Sequence, residues 1–247
     1  MIMAFVLLFI LGYLLGSVPS AYIAARLSRG IDIREYGSGN VGGSNLFKLV
    51  PLWVAVPAFS FDIVKGVIPV YIAARLSLSF TEQTLVGVAA IAGHNWPLFL
   101  KFNGGRGMAT TLGTMLVLMP KLTVVLLIMV LFSIVFHQMA VFTLIAVGLF
   151  AVASYFSGIP AAGYLVGSNL DGNEQITASL ALTAVFLIMV IRRLTAPKSE
   201  FASSSHPVSL YFNRLLWDRD IRDRQTWVNR NINGENVEEP KEGGQKR

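Results

Sequence analysis

The sequence contains no cysteine. Disulfides, thiolate metal sites and a cysteine nucleophile are therefore excluded. Charge is also scarce. Of 247 residues, 14% are charged and 54% are hydrophobic, and mean hydropathy is +0.60. The charge that exists comes late: of 20 Lys+Arg and 14 Asp+Glu, 11 basic and 8 acidic residues follow residue 191. A soluble domain as long as the preceding stretch carries a more charged surface. No group of His, Asp and Glu has zinc-ligand spacing, so no metal is expected, and no Ser-His-Asp arrangement can be inferred. The net charge of +6 would suit nucleic acid, but the basic groups sit in short loops beside apolar stretches. That distribution points to membrane topology and not to nucleic acid.

Apolar runs are what the sequence has in excess. A spanning helix needs roughly 20 mostly apolar residues. Ile2 to Ala25, Leu52 to Ala74, Leu85 to Leu100, Leu122 to Phe136, Met139 to Phe156 and Ile176 to Ile191 fit that pattern. The first run lacks a positive leading region and continues past Pro19, so it reads as a retained span rather than a secretory signal. Met108 to Met119 is short, and Pro120-Lys121 marks a turn or kink after it. That segment spans, or it forms a re-entrant hairpin. The expected fold is an all-α polytopic membrane bundle of about seven transmembrane helices.

The loops set the orientation. Arg26, Arg29, Arg34 and Lys48, then Lys101 and Arg106, then Arg192, Arg193 and Lys198 fall on one side of a seven-span chain. Arg75, Glu82, Lys121, Asp171 and Glu174 fall on the other. Basic loops face the cytoplasm, so the N-terminus is expected outside and the C-terminus inside. The organisation expected is a membrane domain over 1–195 and a cytoplasmic tail over 196–247, partly disordered. Within the tail, Val208 to Trp217 reads as a short helix on the membrane surface or as part of a solvated segment.

Two loops on the basic side carry the chemistry. The first reads Gly37-Ser38-Gly39-Asn40-Val41-Gly42-Gly43-Ser44-Asn45, bracketed by Arg34 and Lys48. Its glycines permit a nest of backbone N–H groups that binds an anion, and Ser38, Asn40 and Asn45 add neutral donors. An ordinary flexible turn is the plainer reading. The second runs from Lys101 through Gly104-Gly105-Arg106-Gly107 into Met108, Ala109 and Thr110. It lacks the Walker A spacing. A glycine turn feeding a helix nevertheless turns free N–H groups toward the loop, and Lys101 and Arg106 can close on a phosphate. The same residues also suit topological anchoring.

His94 lies just before this loop and reads as a general base, a donor to phosphate, or a buried structural group. His137 reads as interfacial and His206 as a tail residue. Asp62 and Lys65 stand three apart inside an apolar run, spaced to pair with each other or to line a site.

Gly37-Ser38-Gly39-Asn40-Val41-Gly42 with Asn45, Asp62 with Lys65-Gly66, and Gly93-His94 through Pro97, Leu100-Lys101-Phe102, Gly104-Gly105-Arg106-Gly107 and Ala109-Thr110 resemble the bacterial acyl-phosphate:glycerol-3-phosphate acyltransferases. The resemblance covers about residues 1–195. It implies a seven-helix membrane enzyme that moves a fatty acyl group from acyl phosphate to the sn-1 hydroxyl of glycerol 3-phosphate. The product is lysophosphatidic acid, and no metal or coenzyme is required. The implied catalytic residues are His94, Ser38 and Asn40. The implied phosphate-binding residues are Lys48, Asn45, Lys101, Gly104, Gly105, Arg106, Gly107 and Thr110. The implied partners are acyl phosphate, glycerol 3-phosphate and membrane lipid, with the site facing the cytoplasm. The sequence departs from the family pattern in four places, one of them at His137-Gln138-Met139-Ala140, where the family usually has Arg-Tyr-x-Ser. Arg106 stands for the usual Lys and Lys48 for the usual Arg. The third motif's histidine and asparagine have no equivalent after Arg192-Arg193. A diverged binder of phospholipid precursors and a small-anion transporter are the alternative readings.

Overall fold

The computed structural model describes residues 1–135, 139–155, 172–197, 206–223 and 226–227. His137 and the chain beyond residue 227 lie outside the described residues. All regular structure among the described residues is helical. In chain order the α-helices are α1 (Ile2–Ser17), α2 (Ser20–Arg29), α3 (Gly43–Leu49), α4 (Leu52–Arg75), α5 (Phe80–Asn95), α6 (Met108–Leu118), α7 (Pro120–Val135), α8 (Met139–Tyr155), α9 (Gly172–Leu194) and α10 (Pro207–Trp217). Short 3-10 turns occupy Ile33–Glu35 and Leu98–Leu100.

The first apolar run is two helices rather than one. Val18 is extended, at φ −63° and ψ 115°, and α2 restarts at Ser20. The residue before proline is driven out of the helical region, so Pro19 ends α1 while its neighbours stay apolar. Pro120 acts differently: it opens α7 after a break at Met119, where its missing N–H costs no helical bond. The 108–118 helix is thus separated from α7 by a turn.

Among the described residues, Ile2–Arg29, Leu52–Arg75 and Gly172–Leu194 are long and apolar enough to cross a membrane. Met108–Leu118, Pro120–Ser133 and Ala140–Tyr155 are shorter apolar helices. Large apolar side chains cover the outside of the bundle, among them Leu7, Phe9, Trp53, Tyr71, Leu131, Leu149 and Leu187. An apolar exterior of this extent is what a lipid environment demands of a polytopic bundle.

Close helix packing comes from small residues. A Cβ added at Gly16 would strike the Ala90 carbonyl of α5, and one at Gly113 would strike the Ile63 carbonyl of α4. These contacts let α1 close on α5 and α6 close on α4 nearly backbone to backbone, the usual solution where lipid supplies no hydrophobic drive between helices. One core joins Ile91, Leu112, Met115, Leu126, Val147, Leu182 and Met189 across α5–α9. A second, of Ala21, Ile33, Val41, Leu46, Ala55 and Leu100, lies beneath the two glycine loops.

Candidate active site

The site is built on two irregular segments held by buried amides and carbonyls. In the first, Asn45 is fully buried at the start of α3. Its Nδ2 donates to the Tyr36 carbonyl at 2.9 Å and the Ile33 carbonyl at 3.2 Å, and its Oδ1 accepts from the Ser38 N–H at 3.0 Å. Gly39 N–H donates to Tyr36 O, and Asn40 N–H approaches Ser38 Oγ at 3.4 Å. The backbone N–H groups at 38–40 are therefore spent on the loop itself. These three N–H groups are thus withdrawn from the anion nest expected over residues 37–45, and Ser38 and Asn40 line the cavity.

The second segment wraps back on α5. Gly104 N–H donates to Asn95 O and Gly105 N–H to His94 O, at 3.3 and 3.1 Å. A Cβ at Gly105 would collide with His94 Nε2 and stand 2.7 Å from Val41 O of the first loop. Only glycine fits where the two loops meet. Gly107, at φ +73°, then caps α6.

Behind the loops lies a buried polar cluster. Asp62 Oδ1 accepts from Lys65 Nζ and from Ser20 Oγ, each at 2.5 Å. His94 Nδ1 stands 3.5 Å from the same oxygen. Lys65 also donates to Val18 O, which Pro19 leaves outside any helix. Thr110 Oγ1 donates to the Asp62 carbonyl at 2.9 Å. The side chains of Ser20, Asp62, Lys65, His94 and Thr110 are all buried. Asp62 and Lys65 pair with each other, and with His94, Gly104 and Gly105 they also line a small cavity behind the loops.

In front of the loops opens a cavity of about 400 Å³. Ser38, Gly39 and Asn40 line one side, Asn103, Gly104 and Arg106 another, and Arg192 and Arg193 of α9 a third. The last wall is the tail, through Arg214, Asp218 and Arg219. Arg192 reaches across to the second loop: its Nη2 donates to Asn103 Oδ1 and Gly104 O, both at 2.7 Å, and its Nε to Gly105 O at 3.3 Å. Arg193 donates to Ala140 O and Thr143 Oγ1 of α8 and to Leu215 O of α10. At the rim, Arg34 binds Asp32 through Nε and Nη2 and stacks 5.3 Å from the Tyr22 ring centroid. That hydrogen bonding holds the Asp32 carboxyl below its usual range and raises the Arg34 guanidinium.

The residues singled out from the sequence separate into three groups. Ser38, Asn40, Gly104 and Arg106 line the cavity. His94, Asn45, Gly105, Gly107 and Thr110 lie buried behind it, and their polar groups serve the loops and α4. Lys48 and Lys101 are exposed and stand outside the cavity lining. Lys48 ends the short α3, and Lys101 sits at φ +51° after a 3-10 turn. The sequence reading missed Arg192, Arg193 and the tail residues as cavity walls. Two consecutive arginines closing an apolar helix were the available signal, and they read there as topology alone.

The fold and the cavity define an integral membrane protein that gathers guanidinium groups around a cavity at one end of its bundle. A glycerol-3-phosphate acyltransferase family model matches residues 6–197, and the chain belongs to that family. Glycerol-3-phosphate acyltransferase 4 of Dehalococcoides mccartyi (strain CBDB1) is 44% identical over 221 residues, 89% of this chain and 91% of that protein. Glycerol-3-phosphate acyltransferase 5 of Dehalococcoides mccartyi strain ATCC BAA-2266 / KCTC 15142 / 195 is 42% identical over 236 residues, 94% and 95% of the two chains. The crystal structure of PlsY (YgiH), an integral membrane glycerol 3-phosphate acyltransferase in its glycerol 3-phosphate form, superposes with a TM-score of 0.64 at 28% identity. That match covers 76% of this chain and 88% of the other.

Proposed function

We propose that the cavity between the glycine loops is where a fatty acyl group passes from acyl phosphate to the sn-1 hydroxyl of glycerol 3-phosphate, giving lysophosphatidic acid. The observation that carries this assignment is the convergence of Ser38, Asn40, Gly104, Arg106, Arg192 and Arg193 on one cavity. Its volume of about 400 Å³ lies in the range of small-molecule sites. Both substrates carry phosphate, and guanidinium groups match phosphate oxygens in two-point geometry.

Acyl phosphate is already activated, so no covalent enzyme nucleophile is needed. The hydroxyl oxygen bonds to the acyl carbon, the carbon–oxygen bond to phosphate breaks, and inorganic phosphate leaves. The hydroxyl proton passes to a phosphate oxygen of the substrate. The protein holds the reactants together and offers donors to the developing oxyanion. In this reading Arg106 binds phosphate, with Arg192 and Arg193 adding positive charge to the wall. Ser38 and Asn40 orient the hydroxyl and the carbonyl. His94 acts through Gly105, fixing the second loop. The acyl chain lies between helices, open to the bilayer.

The same reading includes a chain that spans the membrane about seven times, with the N-terminus outside and the C-terminus and cavity on the cytoplasmic face. Support comes from the basic segments Arg34, Arg106 and Arg192-Arg193, which are distant in sequence and share one cavity. Basic loops mark the cytoplasmic side.

The test is incubation of the purified protein with palmitoyl phosphate and labelled glycerol 3-phosphate, beside the Arg106→Ala variant. Lysophosphatidic acid from wild type, lost in the variant, is the expected result. Folded wild-type protein that forms no product while a control enzyme does would refute the assignment.

A further inference from the structure

Each aspartate of the cavity wall holds one arginine. Asp32 holds Arg34, Asp220 holds Arg214 and Asp218 holds Arg106. Two of these three aspartates come from beyond residue 197, where the family match ends.

The Arg106–Asp218 pair spans 112 positions in sequence. Arg106 Nε donates to Asp218 Oδ2 at 2.9 Å, and Nη2 comes within 2.8 Å of Oδ1. Nη1 donates to the Arg192 carbonyl at 2.9 Å. A guanidinium has five N–H groups. One goes to Oδ2, one faces Oδ1 and one goes to Arg192, which leaves roughly two for an anion in the cavity. The side chain is thus gripped from two directions without being used up.

The tail is anchored independently of this pair. Arg214 is buried, donates to Asp220 Oδ1 at 2.6 Å, and donates to the Leu194 and Ala196 carbonyls at the end of α9. Arg193 donates to the Leu215 carbonyl at 2.7 Å. Asp218 itself caps α10 in the left-handed region, with its N–H on the Arg214 carbonyl. Backbone and side chain are both fixed before any ligand arrives.

We infer that Asp218 is a positioning residue for the acyl-transfer reaction: the C-terminal segment supplies the carboxylate that aims Arg106 at the substrate phosphate. The inference rests on the acyltransferase reading above. A guanidinium is directional and loses affinity when its plane is not held, whereas an ammonium is a compact point charge that needs no such aim. The tail belongs to the site and is not an appendage to it.

The test is a double-variant comparison on the full chain, using Asp218→Asn alone and in an Arg106→Lys background. Asparagine tolerates the left-handed conformation and keeps one acceptor, so the tail remains docked. Asp218→Asn should raise KM for glycerol 3-phosphate about tenfold, with kcat changed far less. In the Arg106→Lys background the same change should raise KM by about twofold or less. Equal fold-changes in both backgrounds would mean a merely structural tail and overturn the inference. A fall in KM would also overturn it, because the carboxylate would then be competing with substrate phosphate. If wild type forms no product, the reaction assignment fails instead. Equilibrium binding of labelled glycerol 3-phosphate to the same four proteins then decides between aiming and no aiming by the same comparison.

Discussion

His94 Nδ1 stands 3.5 Å from Asp62 Oδ1, the same oxygen that accepts from Lys65 and Ser20. Through this atom α2, α4 and α5 meet at one buried point. His94 also accepts the Gly105 N–H on its carbonyl, so the polar cluster inside the bundle is continuous with the loop that bounds the cavity. The site is shaped from behind.

Removing one member of the Asp62–Lys65 pair leaves the other charged and buried. Lys65→Met should destabilise the protein by about 3–5 kcal/mol, and Asp62→Asn by a comparable amount. Replacing both together should cost less than the sum. Thermal unfolding in detergent of the two single variants and the double variant measures this. Strict additivity would show that the pair is not coupled.

At Gly105 there is no space for a methyl group between His94 Nε2 and Val41 O. Gly105→Ala should move one loop away from the other and cost about 1–3 kcal/mol of stability. Lysophosphatidic acid formation should fall by more than about tenfold, since misplacement of about an ångström costs that much or more. A steady-state assay with near wild-type turnover would rule out a fixed contact between the loops.

Arg192 satisfies two loop carbonyls and the Asn103 amide oxygen. Arg192→Met keeps the bulk and removes all these donors. Leaving buried acceptors unpaired costs about 1–3 kcal/mol each. The catalytic efficiency kcat/KM should drop on the order of tenfold to a hundredfold, and Arg192→Lys should recover only part of it. Full recovery by lysine would show that charge alone matters there.

The Asp32–Arg34 pair gives a pH dependence with a definite sign. The hydrogen bonds from Arg34 depress the folded-state pKa of Asp32 below 3.8. A depressed carboxyl contributes stability that is fully present above its unfolded value and lost as pH falls through the folded value. The first loop should therefore be indifferent to pH from about 7 to 5. It should loosen only below the unfolded value of 3.8. Thermal stability against pH for wild type and Asp32→Asn measures this. The difference between them should shrink in acid and remain constant near neutrality.

Much of the fold was legible because the bilayer imposes simple rules. Long apolar runs mark helices, and Arg192-Arg193 marks the end of the last described membrane helix. The break at Val18-Pro19 was present in the sequence as a proline, yet continuous hydrophobicity masked it. Helical spacing allowed the pairing of Asp62 with Lys65, and the glycines of the second loop marked the turn that starts α6. The fate of the 37–40 loop did not follow. Its N–H groups were read as part of an anion nest, and those of Ser38, Gly39 and Asn40 bond within the loop to Asn45 Oδ1, Tyr36 O and Ser38 Oγ.

Local sequence therefore determined the helices, the glycine turns and the supply of cations, because each depends on neighbours within a few residues. Tertiary structure decided which cations face the cavity. Lys48 and Lys101 lie beside glycine-loop residues in sequence and stand outside the cavity lining, while Arg192 and Arg214 are distant and help wall it. The pairing of Arg106 with Asp218 spans 112 positions. No periodicity or spacing encodes such a contact. It exists because α9 ends at the second loop and α10 folds back across that end.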